Sequence, residues 1–442
     1  MLFGLEERFT FAKKILFMTL IKSISGIRGT MGGKPGEGLT PIDAVKYAAA
    51  YGSWVKNRFP DQHIKVVVGR DARISGPMVN KLVTSTLVAL GIDVIDCGLA
   101  TTPTVEMGVT AFKAQGGIII TASHNPKNWN ALKLLNEAGE FLSDKDGKEV
   151  LSIAQSDDYS FEVVDKLGNY EKEDSLVEYH IEKILALPLV DVEAIRKAEL
   201  TVVIDAVNSV GGIAIPMLLD ALGVKKVIEL YCDPTGHFPH NPEPLPENLG
   251  EISSLVVKSN ANIGFVVDPD VDRLAIISED GEMFGEEFTL VAVADYILQN
   301  KVGNTVSNLS STKALKEVTE KIGGKYYASA VGEVNVVAKM KEVNAVIGGE
   351  GNGGVIYPEL HYGRDALVGI ALFLSYLAKT GKSCSALRQK YPNYQISKNK
   401  IELSKDVDVA KILERIAIKY NKQQIDRTDG VKIYFDSEWV HL

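Results

Sequence analysis

The chain has 442 residues, of which 45% are hydrophobic and 24% charged, with a formal net charge of -9. That length implies about three or four domains rather than one core, and the negative balance supplies no field that attracts nucleic acid, so neither a nucleic-acid nor a membrane partner is expected. Cys97, Cys232 and Cys384 lie far apart without a C-x-x-C pair, which argues against a disulfide framework or a zinc site and for a reducing, cytoplasmic compartment.

Near the N-terminus, Lys13 and Lys14 precede the short apolar run Ile15 to Ile21, a faint imitation of a signal peptide with no small-x-small cleavage site after it. Thr40-Pro41-Ile42-Asp43 predicts a helix start, with Thr40 as cap, proline in the first turn and an acid at the third position. His63 to Val68 reads as a buried strand. Gly69-Arg70-Asp71-Ala72-Arg73 follows as a loop in which Arg70 and Asp71 suit either an ion pair or a catalytic role. Ser75-Gly76-Pro77 opens a second helix that Gly91 ends. This alternation of strand and helix predicts an α/β layer architecture.

The apolar run Ile118-Ile119-Ile120 leads into Thr121-Ala122-Ser123-His124-Asn125-Pro126. Pro126 keeps the strand from continuing, so Ser123 sits in a loop where it can meet a ligand; taken singly, a serine in such a setting is more often a turn residue bonding its own backbone. Lys133 follows in Asn130-Ala131-Leu132-Lys133 and, by itself, reads as a solvated lysine on a surface strand. The polar stretches around Ser156 to Ser160 and Lys172-Glu173-Asp174 suit a linker into a second domain. Further apolar strands, Leu200 to Asp205, Ile263 to Asp268 and Ala345 to Gly348, each end in Gly or Asp before a loop, and open α/β sheets bind ligands outside such strand ends. The second of them leads into Asp268-Pro269-Asp270-Val271-Asp272-Arg273, three alternating carboxylates that can hold a divalent metal, with Arg273 placed to grip a phosphate by its guanidinium fork. Other boundaries are expected near Ser278 to Gly281 and Tyr391 to Tyr394.

The serine string and the carboxylate loop together resemble the α-D-phosphohexomutase family, and further similarities run from Ser25 almost to the C-terminus. The resemblance implies a heart-shaped, four-domain protein: three similar α/β domains with mixed sheets over residues 18–160, 170–277 and 278–385, and an α+β fourth domain over 390–442. Family members begin just before the strand at Lys22, so residues 1–17 are expected to be an extension upstream of Met18. It further implies an isomerase that shifts phosphate between the 6- and 1-positions of a hexose phosphate. Ser123 would carry the exchanged phosphate and contribute, with Asp268, Asp270 and Asp272, to a Mg²⁺ site; a hexose 1,6-bisphosphate would be intermediate and activator. His124 and Asn125 would flank the phosphate, Lys133 would move a proton, and Arg28 of Ser25-Gly26-Ile27-Arg28-Gly29-Thr30 would contact the catalytic phosphate.

Gly348 to Gly354 resembles the family's sugar-recognition loop, its glycines admitting a ligand close to the backbone and its Glu350 and Asn352 offering hydrogen bonds to sugar hydroxyls. It departs from the pattern Gly-Glu-x-Ser-Gly-His, lacking the serine and the histidine. Gly363-Arg364-Asp365-Ala366 is similar to a further segment of the third domain, adding Arg364 and Asp365 as substrate-binding candidates. Ala330 to Val336 is similar to a segment of phosphoglucosamine mutases, which tilts the expected substrate toward glucosamine phosphate over mannose or glucose phosphate. The chain stops at Leu442 before the family's Arg-Pro-Ser-x-Thr-Glu-Pro loop, so a C-terminally incomplete fourth domain is expected. Two rival readings stay open. A phosphatase or transferase of the haloacid-dehalogenase type would use Asp268 as nucleophile and leave Ser123 idle, and a non-catalytic relative would bind sugar phosphate without turnover. Oligomeric state is not legible.

Overall fold

The computed structural model describes residues 19–23, 26–397, 399, 401, 403, 407–436 and 438–442. The expected extension at 1–17, Met18 and Ser25 lie outside the described residues.

The first unit is a mixed sheet of seven strands: β1 (Ile21–Ser23), β2 (Gly26–Thr30), β3 (Lys65–Arg70), β4 (Asp93–Leu99), β5 (Gly116–Ile120), β6 (Trp129–Leu135) and β7 (Tyr170–Lys172), in the order β1-β2-β6-β5-β3-β4-β7. Strands β3, β4 and β5 are parallel, joined by the helices Gly76–Ala89 and Thr102–Ala111, whereas β6 runs antiparallel to both β5 and β2. The helix Pro41–Arg58 starts as its sequence predicts: the Thr40 side chain accepts from Asp43 N, and the Asp43 carboxylate accepts from Thr40 N at 3.0 Å. Such a capping box stabilises a helix by about 1 kcal/mol.

The polar segment read as a linker is structured. Tyr170–Lys172 adds an edge strand parallel to β4, and Tyr170 Oη donates to Asp96 Oδ2 at 2.7 Å. Residues 170–172, expected at the head of the second unit, therefore belong to the first sheet. A polar edge strand and a linker share a composition.

The second unit holds β8 (Thr201–Asp205), β9 (Lys226–Leu230), β10 (Ile263–Val267) and β11 (Leu274–Ser278) in the order β11-β10-β8-β9. The third holds β12 (Asn304–Asn308), β13 (Tyr326–Ser329), β14 (Ala345–Glu350) and β15 (Gly354–Ile356) in the order β13-β12-β14-β15. In each, three parallel strands end in one antiparallel edge, β11 or β15. One apolar cluster runs from Val177 to Tyr391 through both units. At its centre the helix Ala366–Thr380 buries Leu367, Ile370 and Phe373, the last meeting Phe284 edge-to-face at 5.2 Å. Each such side chain contributes roughly 1.5–3 kcal/mol by leaving water.

The last unit pairs β16 (Gln424–Asp426), β17 (Lys432–Tyr434) and β18 (Trp439–His441) antiparallel beside the helix Val409–Lys419. Lys432 Nζ donates to the Leu309 carbonyl and lies 4.0 Å from the Trp439 ring centroid, so this unit is docked on the third. The architecture is three α/β units with mixed sheets plus a small α+β unit.

Candidate active site

Strand β5 ends at Ile120, and the turn after it holds Ser123 at φ +48°, a left-handed conformation that a serine adopts only when its surroundings enforce it. The enforcement is visible. Ser123 N donates to Thr121 Oγ1 at 3.0 Å, and that hydroxyl donates to Asp71 Oδ2 at 2.7 Å. Beneath the turn the fully buried Arg73 donates to the carbonyls of Ser123, Asn125, Pro126 and Trp129, and its Nε reaches Asp71 Oδ2 at 2.9 Å. The ion pair read for Arg70 and Asp71 is thus made by Arg73, two residues along and on the same side of the loop; Arg70 donates instead to the Asp71 carbonyl at 3.1 Å.

Strands β10 and β11 are joined by the carboxylate loop, with Asp268, Asp270 and Asp272 all fully buried and Val271 at its tip at φ +63°. Asp272 N and Arg273 N both donate to Asp268 Oδ1 at 3.2 Å. Ser123 Oγ donates to Asp268 Oδ2 at 2.7 Å, so two motifs 145 residues apart meet directly. One oxygen from each aspartate lies within 4.8 Å of the others. Asp270 Oδ1 and Asp272 Oδ1 are buried without hydrogen-bond partners, an arrangement costly for bare carboxylates and suited to a hard divalent cation. Burial, then repulsion by Asp272 and Asp270, pushes the Asp268 carboxyl well above the usual range.

Lys133 is no surface lysine. The β5–β6 register sets it opposite Ile119, and its buried Nζ lies 2.6 Å from Asp270 Oδ2 and 3.4 Å from Asp272 Oδ2. Burial disfavours the ammonium, but Asp270 and Asp272 outweigh it and raise the lysine above its ordinary value. His124 goes the other way: burial, then the Arg273 charge, lowers it to about 3, and its Nδ1 stands 3.4 Å from Ser123 Oγ.

From the third unit, Arg364 spreads its guanidinium over three carboxylates, with Nε at 3.0 Å from Glu333 Oε2, and its terminal nitrogens at 2.7 Å from Glu350 Oε2 and 2.7 Å from Asp272 Oδ2. Desolvation pushes the Glu333 carboxyl up to about 7 despite Arg364. The glycines after β14 have a cause other than the one read from sequence. A Cβ on Gly353 would lie 2.4 Å from the Leu274 carbonyl, and one on Gly354 would lie 2.4 Å from Arg364 Cδ; they let the loop pack on β11 and on the arginine.

Between these groups lies a cavity of about 340 Å³, of small-molecule size, whose walls include Arg28, Ser123, His124, Lys133, Arg273, Glu350, Asn352 and Arg364. The structure therefore brings together most of the candidates, with the three aspartates directly behind Ser123. Asn125 is outside the lining, its carbonyl held by Arg73. Asp365 also faces away: it is fully buried, its Oδ1 accepts from Leu367 N and Val368 N at the start of the helix Ala366–Thr380, and its Oδ2 faces His180 and His361. Sequence reasoning missed Arg73, Glu333 and Thr102, whose Oγ1 donates to Asp270 Oδ2 at 2.6 Å. The available signals were Asp71 and Arg73 spaced two apart and Thr101-Thr102-Pro103 as a helix start.

The geometry has close counterparts. Three family descriptions match in order: phosphoglucomutase/phosphomannomutase alpha/beta/alpha domain I at residues 20–160, domain II at 178–281 and domain III at 286–394. A phosphoglucomutase/phosphomannomutase of Thermococcus kodakarensis is 38% identical over 93% of this chain and 90% of its own length. A phosphoglucosamine/phosphogalactosamine mutase of Sulfurisphaera tokodaii is 30% identical over 94% of this chain and 90% of its own. Among solved structures, a phosphoglucomutase/phosphomannomutase family protein of Burkholderia thailandensis superposes with a TM-score of 0.81 at 27% identity, covering 95% of this chain and 90% of that one. With the three domains matched in sequence order and likeness to relatives over nearly their whole length, the chain belongs to the α-D-phosphohexomutase family and is an isomerase that moves phosphate within a hexose phosphate.

Proposed function

We propose that the protein interconverts glucosamine 6-phosphate and glucosamine 1-phosphate through a phosphoserine at Ser123 and a bound 1,6-bisphosphate. The observation that carries the phosphoserine reading is the hydroxyl of Ser123, held in a strained turn at the cavity wall and 2.7 Å from a buried carboxylate. Asp268, Asp270 and Asp272, with the serine phosphate, would hold Mg²⁺, which supplies positive charge against the phosphoryl oxygens.

In the transfer, a sugar hydroxyl oxygen bonds to phosphorus as the Oγ–P bond of phospho-Ser123 breaks; Lys133, an ammonium, would give a proton to the departing Oγ and then take up the proton lost by the sugar hydroxyl, with the neutral His124 flanking the phosphate. Charge growing on Oγ faces the Lys133 ammonium. Arg28 and Arg273, each with a buried Nε that makes no hydrogen bond, are placed in the wall to hold phosphate oxygens. The bisphosphate then turns round and returns its other phosphate to Ser123.

For the sugar, Glu350 already accepts from Asn308 Nδ2 at 2.8 Å, Gly332 N at 3.2 Å and Arg364 at 2.7 Å. A carboxylate has about four acceptor positions, so one remains for a 2-ammonium group, with Val331 to Asn335 lining the same wall. Glucose or mannose phosphate is the second reading, favoured by the relative at 38% identity named for those sugars. Coupled assays with the three hexose 6-phosphates decide: glucosamine 6-phosphate should give the highest kcat/KM, and a clear preference for mannose 6-phosphate would assign a phosphomannomutase instead.

A further inference from the structure

Behind the cavity, where the first, second and third units meet, four ionisable side chains come together that the phosphoryl chemistry does not use: Glu106, His180, His361 and Asp365. His180 and Asp365 are fully buried, and Glu106 is 2% exposed. His180 Nε2 lies 2.9 Å from Asp365 Oδ2, and His361 Nε2 lies 3.4 Å from the same oxygen. One donor atom from each of these three residues falls within 4.8 Å of the others. We infer that His180, His361 and Asp365 form a second metal site, distinct from the aspartate loop, for a transition ion of the zinc class.

Five observations support the assignment. The donor set is two imidazoles and a carboxylate, which suits zinc and not Mg²⁺; the sparse cysteines are irrelevant to it. Zinc bonds of about 2.0–2.1 Å at tetrahedral angles set neighbouring ligand atoms about 3.3 Å apart, within a few tenths of an ångström of the 2.9 and 3.4 Å from the two Nε2 atoms to Asp365 Oδ2. Each ring also has a polar oxygen behind it, on the side where metal-bound histidines make their second hydrogen bond. His180 Nδ1 can donate to Thr104 Oγ1 at 3.0 Å, and His361 Nδ1 faces Glu106 Oε2 at 3.4 Å. With those protons on Nδ1, both Nε2 lone pairs point toward Asp365 Oδ2, three electron-rich atoms that a cation between them would reconcile.

The remaining two observations concern the carboxylates. Asp365 Oδ1 is fixed by Leu367 N at 2.8 Å and Val368 N at 3.2 Å, which aims Oδ2 at the rings. Glu106 is buried with neither carboxylate oxygen in a hydrogen bond, and a Cβ on Gly363 would come within 1.8 Å of its Oε2, so that glycine leaves room for the carboxylate beside His361. A bound ion would cross-link the helix Leu176–Leu185 to the head of Ala366–Thr380, next to Arg364, with Glu106 of the helix Thr102–Ala111 behind His361. The inference does not rest on the sugar or on the phosphoserine.

The full-length protein carrying Asp270→Asn, so that the aspartate loop is disabled, is incubated with Zn²⁺, passed over a desalting column and analysed for metal by mass spectrometry. About one zinc per chain should be retained, His361→Asn should abolish retention, and Glu106→Gln should weaken it about 10–100-fold. No retained zinc, or equal retention by the His361→Asn protein, overturns the site. If His361→Asn does not fold, zinc-edge anomalous scattering from zinc-soaked crystals of the unsubstituted protein decides: a peak bonded to both Nε2 atoms and Asp365 Oδ2 supports it, and its absence there refutes it.

Discussion

Among the described residues Arg364 is the cation that bridges Glu333, Glu350 and Asp272, so its removal gives a sharp test of how the cleft is held together. Arg364→Met keeps much of the apolar stem but leaves three carboxylates facing one another in a region where the arginine side chain is only 10% exposed. Breaking a buried pair costs about 3–5 kcal/mol because the partner charge stays buried. At roughly 2–4 °C per kcal/mol for a domain of this size, calorimetry should show a fall of about 6–20 °C in the transition containing the third unit. Adding Glu333→Gln removes one of the stranded charges and should restore about 1–2 kcal/mol, a coupling that simple loss of packing would not produce. A fall below about 2 °C for Arg364→Met, or a double variant less stable than the single one, would refute the charge-balance reasoning.

Arg73→Lys should lower kcat/KM about 100-fold and also lower the melting temperature, because one ammonium cannot serve four buried carbonyls and the Ser123 turn would relax; unchanged steady-state kinetics would contradict this. Asp270→Asn should remove activity and its dependence on Mg²⁺ while leaving the fold intact by circular dichroism, and undiminished turnover after exhaustive chelation would refute the metal loop. Burial depresses Lys432 to about 8 from an ordinary 10.5. Between those values the unfolded chain binds more protons, so the stability of the unsubstituted protein relative to Lys432→Met should rise with pH, by about 1.4 kcal/mol per unit above pH 8. Below pH 8 the burial penalty is fully present, and a difference that stays flat between pH 7 and 10 would show that Lys432 stays charged.

Local signals carried the fold well. The Thr40 cap, the proline-led helices and the apolar strands ending before loops are all encoded within a few residues, and each emerges where its residues predict. The Ser123 and Asp268 loops were legible for the same reason, since a strand end followed by turn residues fixes where a side chain is presented. Long-range register was not. Nothing near Lys133 states that β6 pairs with β5 so as to bury it against Asp270, and nothing near Asp365 states that His180 from another unit lies opposite. Polar composition misled at Lys172, where exposure reflects an edge strand, and glycine content misled after β14, where the Leu274 backbone and the Arg364 side chain fill the space.

The central claim is that Ser123 is the atom-by-atom carrier of the exchanged phosphate. Its most direct measurement is peptide mapping by mass spectrometry of the protein after treatment with a hexose 1,6-bisphosphate, in parallel with Ser123→Ala. The account predicts one phosphate, on the peptide containing Ser123, transferable to hexose phosphate on chase and absent from the variant, which should also be inactive. Phosphate found on Asp268 or elsewhere and never on Ser123, or a Ser123→Ala protein that still turns over, would contradict it.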